Sequence, residues 1–205
     1  MLKVGLTGGV ASGKTMVLNL FEELGARVID ADAISREVVR PHLRAWKKIV
    51  EHFGKEYLNP DLSLNRGMLR KIVFTDDTQR KVLENIIHPE VLKEIRLRCK
   101  QIGELYPKAI LIVDIPLLIE IGLMNEYNKV ILVYVDKETQ IKRITGRYGI
   151  GRDEALKILG AQIPMDEKIQ FADFVIDNRG TIEEIKLAVS GVFEQLRTLQ
   201  QTQSG

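Results

Sequence analysis

Short apolar runs alternate with longer amphipathic stretches along this chain. Five runs have the length of β-strands and are rich in Val, Ile and Leu: residues 2–7, 27–30, 109–114, 129–135 and 174–176. Near-continuous apolar runs of this length are typical of parallel strands that are buried on both faces. Because helical stretches separate the runs, the pattern predicts an α/β fold with a five-stranded parallel sheet and right-handed crossover connections.

Helical spacing of apolar residues predicts the first and last helices of the chain. Apolar positions recur at this spacing over residues 16–24, directly after the first strand and a glycine-rich turn. Near the C-terminal end, Thr181 and Glu184 form a T-x-x-E capping box that opens a second amphipathic stretch. We expect the tail, residues 200–205, to be frayed.

Two stretches between strands are longer than a crossover helix requires. Residues 41–106 show a mostly helical pattern with a turn at Asn59, Pro60 and Asp61, which predicts an inserted helical subdomain. Residues 137–162 predict two helices separated by a turn at residues 149–151. The length of 205 residues suits a single domain with insertions, whose core would comprise residues 1–40, 107–136 and 163–205.

The first strand leads into a glycine-rich sequence with the pattern of a phosphate-binding loop. Residues 8–15 match G-x-x-x-x-G-K-[ST], the P-loop motif. A strand, a glycine turn and a helix N-terminus direct several backbone N–H groups at one anion. Lys14 is expected to reach the β- and γ-phosphates of a nucleotide, and the Thr15 hydroxyl to bind Mg²⁺. The predicted nucleotide-binding residues of this segment are Gly8, Gly9, Val10, Ala11, Ser12, Gly13, Lys14, Thr15 and Met16.

Carboxylates follow two further strands and are expected at the same edge of the sheet. Asp30 and Asp32 come at the end of the second strand, and Asp114 ends the third. Phosphoryl transfer needs a group that orients the acceptor hydroxyl, and Asp32 is our first candidate for it. Helix capping is the alternative for Asp30 and Asp32. Asp114 suits either a metal-associated carboxylate or a structural role.

The stretch of residues 137–162 is locally basic. Arg143 and Arg147 are four residues apart, so they share one face of the predicted helix and could close on phosphates as a lid. A solvated helix face has the same pattern. Gly146 lies between them and weakens a helix by about 1 kcal/mol, which favours a hinge. Lys142 and Arg152 add to the positive charge of the stretch.

His88 precedes a proline in the middle of the helical subdomain. Pro89 is well suited to the first position of a helix, so we expect a helix to begin there. His88 could then either cap that helix or contact a substrate.

Composition narrows the classes of function. Hydrophobic residues make up 45% and charged residues 28% of the chain, as in soluble globular proteins. The formal net charge of +2 does not indicate a nucleic-acid binder. The longest apolar stretch, residues 109–123, contains Asp114, Pro116 and Glu120 and is no membrane span. Cys99 is the only cysteine, and no signal peptide is recognisable, so we expect a cytoplasmic protein.

Taken together, the motifs resemble the dephospho-coenzyme A kinase family, over nearly the whole chain. The matching segments are residues 5–15, 30–32, 83–89 (LENIIHP), 114–120 (DIPLLIE), Gln140 with Arg143 and Arg147, Gln162, and residues 172–173 and 177–180. The resemblance implies transfer of the ATP γ-phosphate to the ribose 3′-hydroxyl of dephospho-coenzyme A, the last step of coenzyme A synthesis, with Mg²⁺ as cofactor. It also implies that residues 41–106 bind the acceptor and that residues 137–162 form the lid.

The resemblance assigns roles residue by residue. The catalytic residues that it implies are Asp32, Lys14 and Arg147. Beyond the P-loop, the implied ATP-binding residues are Arg143, Arg147, Asn178 and Gly180, the last two near the adenine. The implied substrate-binding residues are Asp32, Arg36, Arg66, His88 and Asp114. The expected partners are ATP and dephospho-coenzyme A, without nucleic acid or membrane, and a monomer is favoured.

Two departures from the family and two rival functions remain. Met16 stands where the family usually has a second hydroxyl residue, and residues 61–66 lack the glycine and the second aspartate usual in the corresponding turn. One rival is a kinase of another small nucleoside or nucleotide. The other is a GTPase-like switch, although residues 128–131 (NKVI) lack the final aspartate of the guanine-reading N-K-x-D motif.

Overall fold

The sheet has five parallel strands. A computed structural model describes residues 1–202, with the side chain of Phe74 left out. The strands are β1 (Leu2–Thr7), β2 (Arg27–Asp30), β3 (Ile110–Asp114), β4 (Lys129–Tyr134) and β5 (Phe174–Asp177). Their order across the sheet is β2-β3-β1-β4-β5, and every neighbouring pair is parallel. The predicted fold class is confirmed, and the bounds of β3, β4 and β5 differ from the predicted ones by one residue at one end.

Helices fill the connections between the strands. They are α1 (Lys14–Glu23), α2 (Ala31–Glu37), α3 (Arg44–Phe53), α4 (Arg66–Thr75), α5 (Asp77–Leu105), α6 (Lys137–Tyr148), α7 (Arg152–Leu159), α8 (Met165–Lys168) and α9 (Ile182–Thr202). The turn predicted at Asn59 is present, because the Asn59 N–H donates to the Ser63 carbonyl at 2.8 Å beside a bridge between Leu58 and Leu64. In residues 1–202, none of the helices combines the length and apolarity needed to cross a bilayer.

The chain divides into two compact units. One comprises Met1–Asp30 and the chain from Ile102 onward, and the other comprises Ala31–Gln101. In the first unit the sheet packs against α1 and α9, where the rings of Phe21 and Phe193 lie 6.3 Å apart. The second unit has its own apolar cluster around Ile49, Phe53 and Leu69. The limits predicted for the substrate-binding subdomain and the lid stay predictions.

The register of the sheet aligns the carboxyl ends of β1, β2 and β3. Asp114 lies opposite Leu6 on one side and opposite Asp30 on the other. Since β1 runs directly into the glycine-rich segment, both aspartates lie at the strand ends from which that loop departs. The parallel topology therefore gathers these groups as expected.

Two local predictions were wrong. Pro89 does not begin a helix but lies inside α5, so His88 is not an N-cap. The helix begins at Asp77, where the Asp76 carboxylate accepts hydrogen bonds from the N–H groups two and three residues later, at 2.8 and 3.1 Å. Pro89 cannot donate to the Asn85 carbonyl and its ring crowds that carbonyl, yet α5 continues through it over 29 residues.

The predicted fraying of the C-terminal tail is also wrong for residues 200–202. Helix α9 continues through Thr202, whose hydroxyl donates to the Leu199 carbonyl at 2.8 Å. Residues 203–205 of that tail lie outside the described residues. The capping box is confirmed at the other end of the helix, where the Thr181 N–H donates to the Glu184 carboxylate at 2.7 Å.

Candidate active site

The segment between β1 and α1 has the backbone conformation of an anion-binding loop. Gly13 has φ of +84° immediately before Lys14, the first residue of α1, and Ala11 also has positive φ at +60°. The first N–H groups of a helix have no acceptor within the helix, so they are available to a ligand. A Cβ at Gly13 would collide with the side-chain amide of Asn178. Glycine is therefore required at Gly13 both for φ and for space.

Close packing beneath the loop explains the two preceding glycines. A Cβ at Gly8 would lie 2.7 Å from the Val133 carbonyl oxygen. A Cβ at Gly9 would lie 2.5 Å from Nε2 of Gln140 and 2.8 Å from Sδ of Met165. A side chain at Gly8 is excluded by the backbone of β4, and one at Gly9 would displace the ends of the Gln140 and Met165 side chains from the loop.

Two glutamines and a methionine hold the loop from this side. The Gln140 side chain donates from Nε2 to the Val10 carbonyl at 2.8 Å, and Oε1 of Gln162 accepts from the Val10 N–H at 3.0 Å. The Gly9 N–H donates to Sδ of Met165 at 3.1 Å. These contacts fix the first half of the loop through groups that are distant in sequence.

Arg143 and Asn178 hold the second half of the loop. The Arg143 guanidinium donates to the Ala11 carbonyl at 3.1 Å and to the Asn178 carbonyl at 2.8 Å. The Asn178 side chain, only 2% exposed, donates from Nδ2 to the Ser12 carbonyl at 2.6 Å. Both residues thus support the backbone of the loop, and their predicted contacts with ATP stay predictions.

The charged and hydroxyl groups of the loop differ in exposure. Lys14 is half-buried, and its Nζ donates to the Gly8 carbonyl at 3.3 Å, so the chain of Lys14 folds back along the loop. Thr15 is exposed on the first turn of α1. The Ser12 hydroxyl is buried and has no hydrogen-bond partner among residues 1–202.

The arginines of α6 and α7 have different surroundings. Arg143 points to the loop, whereas Arg147 is exposed and lies over the neighbouring Tyr148 ring at 5.4 Å. Arg152 donates through two nitrogens to the Glu138 carboxylate, at 2.7 and 2.6 Å, and so ties α7 to α6. This pairing lowers the pKa of Glu138. Of these three arginines, Arg147 is the one that makes no hydrogen bond or ion pair with the described residues.

A second cluster of polar side chains lies at the carboxyl ends of β4 and β5. Arg179 donates to both oxygens of the Asp177 carboxylate, at 2.6 to 3.1 Å, and this hydrogen bonding lowers the pKa of Asp177 and raises that of Arg179. The Tyr134 hydroxyl donates to Asp166 at 2.7 Å, which raises the pKa of Tyr134. Gly180 follows in a turn where a Cβ would lie 2.5 Å from a Glu184 carboxylate oxygen. The turn is therefore fixed by the capping box of α9.

The predicted acceptor-side residues belong mainly to the second unit. Asp32 is exposed in the first turn of α2, and its backbone carbonyl accepts from the Ser35 hydroxyl at 2.8 Å. Arg36 and Arg66 are exposed on α2 and α4, and His88 is exposed on α5. Asp114, the remaining candidate, is 8% exposed in the first unit.

Sequence reasoning missed one buried ion pair. Lys168 is fully buried, and its Nζ lies 2.6 Å from the Glu120 carboxylate. The pair joins α8, which carries Met165, to the segment that follows β3. No pattern marked Lys168, because its neighbours Asp166 and Glu167 are polar and a lysine among polar residues suggests an exposed position. Met165 was missed for a different reason, since nothing in a sequence marks a sulfur as an acceptor.

The parallel sheet with β1 at its centre, the loop at the end of β1 and the helix that follows it define a P-loop nucleotide-binding protein. The family model described as "CoaE: Dephospho-CoA kinase" matches residues 2–184. The dephospho-CoA kinase of Carboxydothermus hydrogenoformans is 44% identical over 194 residues, which are 94% of this chain and 93% of that protein. The chain belongs to the dephospho-CoA kinase family.

Solved structures agree with this assignment over the same length. Dephospho-CoA kinase from Campylobacter jejuni is 28% identical with a TM-score of 0.74, covering 96% of this chain and 97% of that one. TT1252 from Thermus thermophilus is 30% identical with a TM-score of 0.76, covering 95% of this chain and 97% of that one. These similarities set aside the GTPase-like alternative.

Proposed function

We propose that this protein transfers the γ-phosphate of ATP to the ribose 3′-hydroxyl of dephospho-coenzyme A, giving coenzyme A and ADP. The observation that carries this proposal is the family match over residues 2–184, which includes both the P-loop and the inserted helical unit. A P-loop alone is shared by many functions, whereas the helical unit is where acceptor specificity would be located.

The loop would bind the phosphates of ATP. The N–H groups of the first turn of α1 and the ammonium of Lys14 supply positive potential, and the partnerless Ser12 hydroxyl can be satisfied by a phosphate oxygen. Hydrogen bonds from the side chains of Gln140, Arg143 and Asn178 to the loop backbone keep these groups in position before ATP binds. Preorganisation of this kind is the main protein contribution to phosphoryl transfer.

Asp32 would orient the acceptor. In the proposed step the 3′-oxygen attacks the γ-phosphorus, the bond from that phosphorus to the β,γ-bridging oxygen breaks, and ADP leaves. The hydroxyl proton passes to the Asp32 carboxylate and then to solvent. Arg147, exposed on α6, would close on the phosphates as the lid arginine, and Arg36, Arg66, His88 and Asp114 would contribute to acceptor binding.

Mg²⁺ is the proposed cofactor, and the available donors fit it. Among the described residues there is no group of three or more His, Cys, Asp or Glu side chains that could enclose a metal. Mg²⁺ in nucleotide enzymes keeps several waters and binds through one or two protein oxygens together with phosphates. The Thr15 hydroxyl would hold the ion, which would neutralise charge on the β- and γ-phosphates.

We also propose that the protein works as a monomer in the cytoplasm. The proposed substrates are soluble nucleotides, and the single cysteine, Cys99, leaves no intramolecular disulfide to be formed.

One assay tests the proposed reaction. The purified protein is given ATP and Mg²⁺ with dephospho-coenzyme A in one reaction and with a panel of nucleosides and nucleotides in parallel reactions. We expect phosphorylation at the 3′-position of dephospho-coenzyme A, with the highest kcat/KM of the panel. Robust turnover of another acceptor without turnover of dephospho-coenzyme A would establish the rival kinase function instead.

A further inference from the structure

The ion pair between Lys168 and Glu120 lies in the interior of the first unit. Lys168 has no exposed surface, the side chain of Glu120 is 15% exposed, and the Lys168 Nζ lies 2.6 Å from the Glu120 carboxylate. Neither the ammonium nor the carboxylate oxygens have a hydrogen-bond partner elsewhere among residues 1–202. Each of the two charges is therefore compensated by the other.

A buried ion pair contributes geometry more than stability. The loss of hydration offsets the attraction of the charges, so apolar residues of the same volume often stabilise a core equally well. A single unpaired charge, in contrast, cannot be left in the interior without a large cost. The pair therefore fixes the separation of the two segments that carry Lys168 and Glu120.

The Lys168 end of the pair belongs to the segment that contacts the first half of the P-loop. Lys168 is the last residue of α8, whose first residue, Met165, accepts the Gly9 N–H at 3.1 Å. Gln162 precedes α8 by three positions and accepts the next N–H of the loop, that of Val10, at 3.0 Å. Two consecutive N–H groups of the P-loop thus have their acceptors on one short segment. The position of this segment sets the position of the loop.

The Glu120 end of the pair belongs to a segment that lies on β1. The Ile115 N–H donates to the Leu6 carbonyl at 2.9 Å, and the Pro116 carbonyl accepts from the Thr7 hydroxyl at 3.1 Å. Thr7 is the last residue of β1 and directly precedes the P-loop. The ion pair therefore joins two segments that both contact the chain where the loop begins.

A second contact of α8 is weaker. The Tyr134 hydroxyl donates to the Asp166 carboxylate at 2.7 Å, but this hydrogen bond is exposed to solvent. Water competes for an exposed hydrogen bond, and salt screens its charge, whereas the Lys168–Glu120 pair is shielded from both. The ion pair is consequently the stronger constraint on where α8 lies.

We propose that the Lys168–Glu120 pair is a positioning element for ATP binding. The pair holds Gln162 and Met165 at the place where they orient the first half of the P-loop, and neither Lys168 nor Glu120 touches a substrate. Backbone N–H groups bind a phosphate only in a narrow range of directions, so a small shift of the loop weakens several hydrogen bonds at once. This inference rests on the proposed function, since ATP is the nucleotide that the loop would bind.

The test uses two variants of the pair and one control. Lys168→Met combined with Glu120→Leu removes both charges, so no unpaired charge remains in the interior. Glu120→Asp keeps both charges and shortens the acidic side chain by a methylene group. The matched control is Lys129→Met, which removes the lysine of a different ion pair, 2.7 Å from Asp173, at the amino end of β4. Urea titrations identify conditions in which each variant is folded.

Two measurements separate positioning from stability. Equilibrium binding of a nonhydrolysable ATP analogue reports on the P-loop directly and needs no acceptor. Steady-state kinetics with dephospho-coenzyme A gives kcat and the KM for each substrate. A variant that is only less stable has a smaller folded fraction, which lowers the apparent kcat and leaves both KM values unchanged.

We expect the double variant to raise the Kd for the ATP analogue and the KM for ATP about tenfold, with kcat and the KM for dephospho-coenzyme A changed by less than about threefold. Glu120→Asp should raise the same two constants about threefold, because the shorter side chain draws α8 away from the loop. Lys129→Met should change none of these constants. If the double variant does not fold, Glu120→Asp decides the question alone.

ATP binding of wild-type strength in these variants would overturn the proposal, and so would an equal rise of both KM values. Failure of the wild-type protein to phosphorylate dephospho-coenzyme A would contradict the proposed function, while binding of the ATP analogue would still test the ion pair. Normal turnover with unchanged binding of the analogue would contradict only the role of the ion pair.

Discussion

The buried side-chain amide of Asn178 supports the second half of the phosphate-binding loop. The Asn178 side chain occupies the space that a Cβ at Gly13 would need, and it donates to the Ser12 carbonyl. The sequence predicted Asn178 as an ATP contact. The structure shows that it supports the loop, whether or not it also touches the nucleotide.

Removing this amide should therefore impair ATP binding more than chemistry. Asn178→Ala leaves the Ser12 carbonyl buried without its donor, which costs about 1–3 kcal/mol. We expect the KM for ATP to rise about tenfold with kcat changed less than threefold in steady-state kinetics. Asn19→Ala, an exposed asparagine of α1, is the control and should have no effect. An unchanged KM for ATP in Asn178→Ala would contradict the supporting role.

Substitution of Asp32 should reduce turnover more than ATP binding, in contrast to Asn178→Ala. Asp32→Ala removes the proposed proton acceptor, so turnover should fall at least a hundredfold while ATP affinity is retained. Lys14→Ala should reduce both, because the ammonium belongs to the phosphate cradle. Rapid-quench turnover and equilibrium ATP binding separate the two effects. Near-normal turnover of Asp32→Ala would remove this residue from its proposed role.

Among the secondary-structure elements, α6 both holds the P-loop and carries the exposed Arg147. The sequence predicted the basic face of this helix but not its contacts with the loop. The helix begins at the Asp136 cap, whose carboxylate accepts the Thr139 N–H at 2.9 Å, and ends at Gly149 with φ of +66°. One face of α6 holds the P-loop through Gln140 and Arg143, and Arg147 extends from its exposed last turn. A movement of α6 would thus be transmitted to the loop.

Substitution of Gly146 by alanine tests whether α6 bends during the reaction. A Cβ at Gly146 meets no atom within 4 Å, so alanine fits, and it should stabilise the helix by about 0.5–1 kcal/mol. Gly191 in α9 is equally open and provides the matched control. We expect both variants to gain stability in urea titrations, and only Gly146→Ala to lose turnover. Full turnover in Gly146→Ala would argue against a hinge there.

The buried Lys168–Glu120 pair joins α8 to the segment after β3. Lys168→Met leaves a carboxylate buried without its partner and should destabilise the protein by about 3–5 kcal/mol. The double change Lys168→Met with Glu120→Leu removes both charges and should recover most of that loss. Urea titration of the single and double variants measures the difference. Equal stability of the two variants would show that the charge of Glu120 is not held by Lys168.

At the scale of the whole molecule, several carboxylates share one direction of pKa shift. Hydrogen bonds from arginines or from nearby N–H and O–H groups lower the pKa of Glu37, Asp61, Asp136, Glu138 and Asp177. A carboxylate whose pKa is lower in the folded state stabilises that state above its unfolded pKa, near 4. This stabilisation is lost as the pH falls through the folded pKa values.

These carboxylates should therefore cause no change in the thermal midpoint between pH 6 and pH 8. The midpoint should fall as the pH drops from 5 to 3. Differential scanning calorimetry at constant ionic strength measures this dependence. The Glu138→Gln variant, which lacks one of the shifted groups, should show a shallower fall than the wild type. A midpoint independent of pH down to pH 3 would contradict the summed effect.

The positions of the strands along the chain, the P-loop and the capping box could be predicted because each depends on residues close together in sequence. Apolar runs, glycine spacing and a Thr-to-Glu interval all have local physical causes. The start of α5 was not predicted, because the sequence analysis placed a helix start at Pro89, whereas the Asp76 carboxylate caps the helix twelve residues earlier. Only the packing of a long helix decides that Pro89 is tolerated in its interior.

Local patterns and motifs in a fixed order were sufficient to predict the fold class, the nucleotide-binding loop and the resemblance to the family. The tertiary structure decided which polar residues hold that loop and which remain available. Arg143, Arg147 and Arg152 have the same chemistry in sequence, yet one supports the loop, one is exposed and one pairs with Glu138. The physical reason is that a charged side chain is defined by the partners that folding brings to it, and those partners lie up to 132 positions away along the chain.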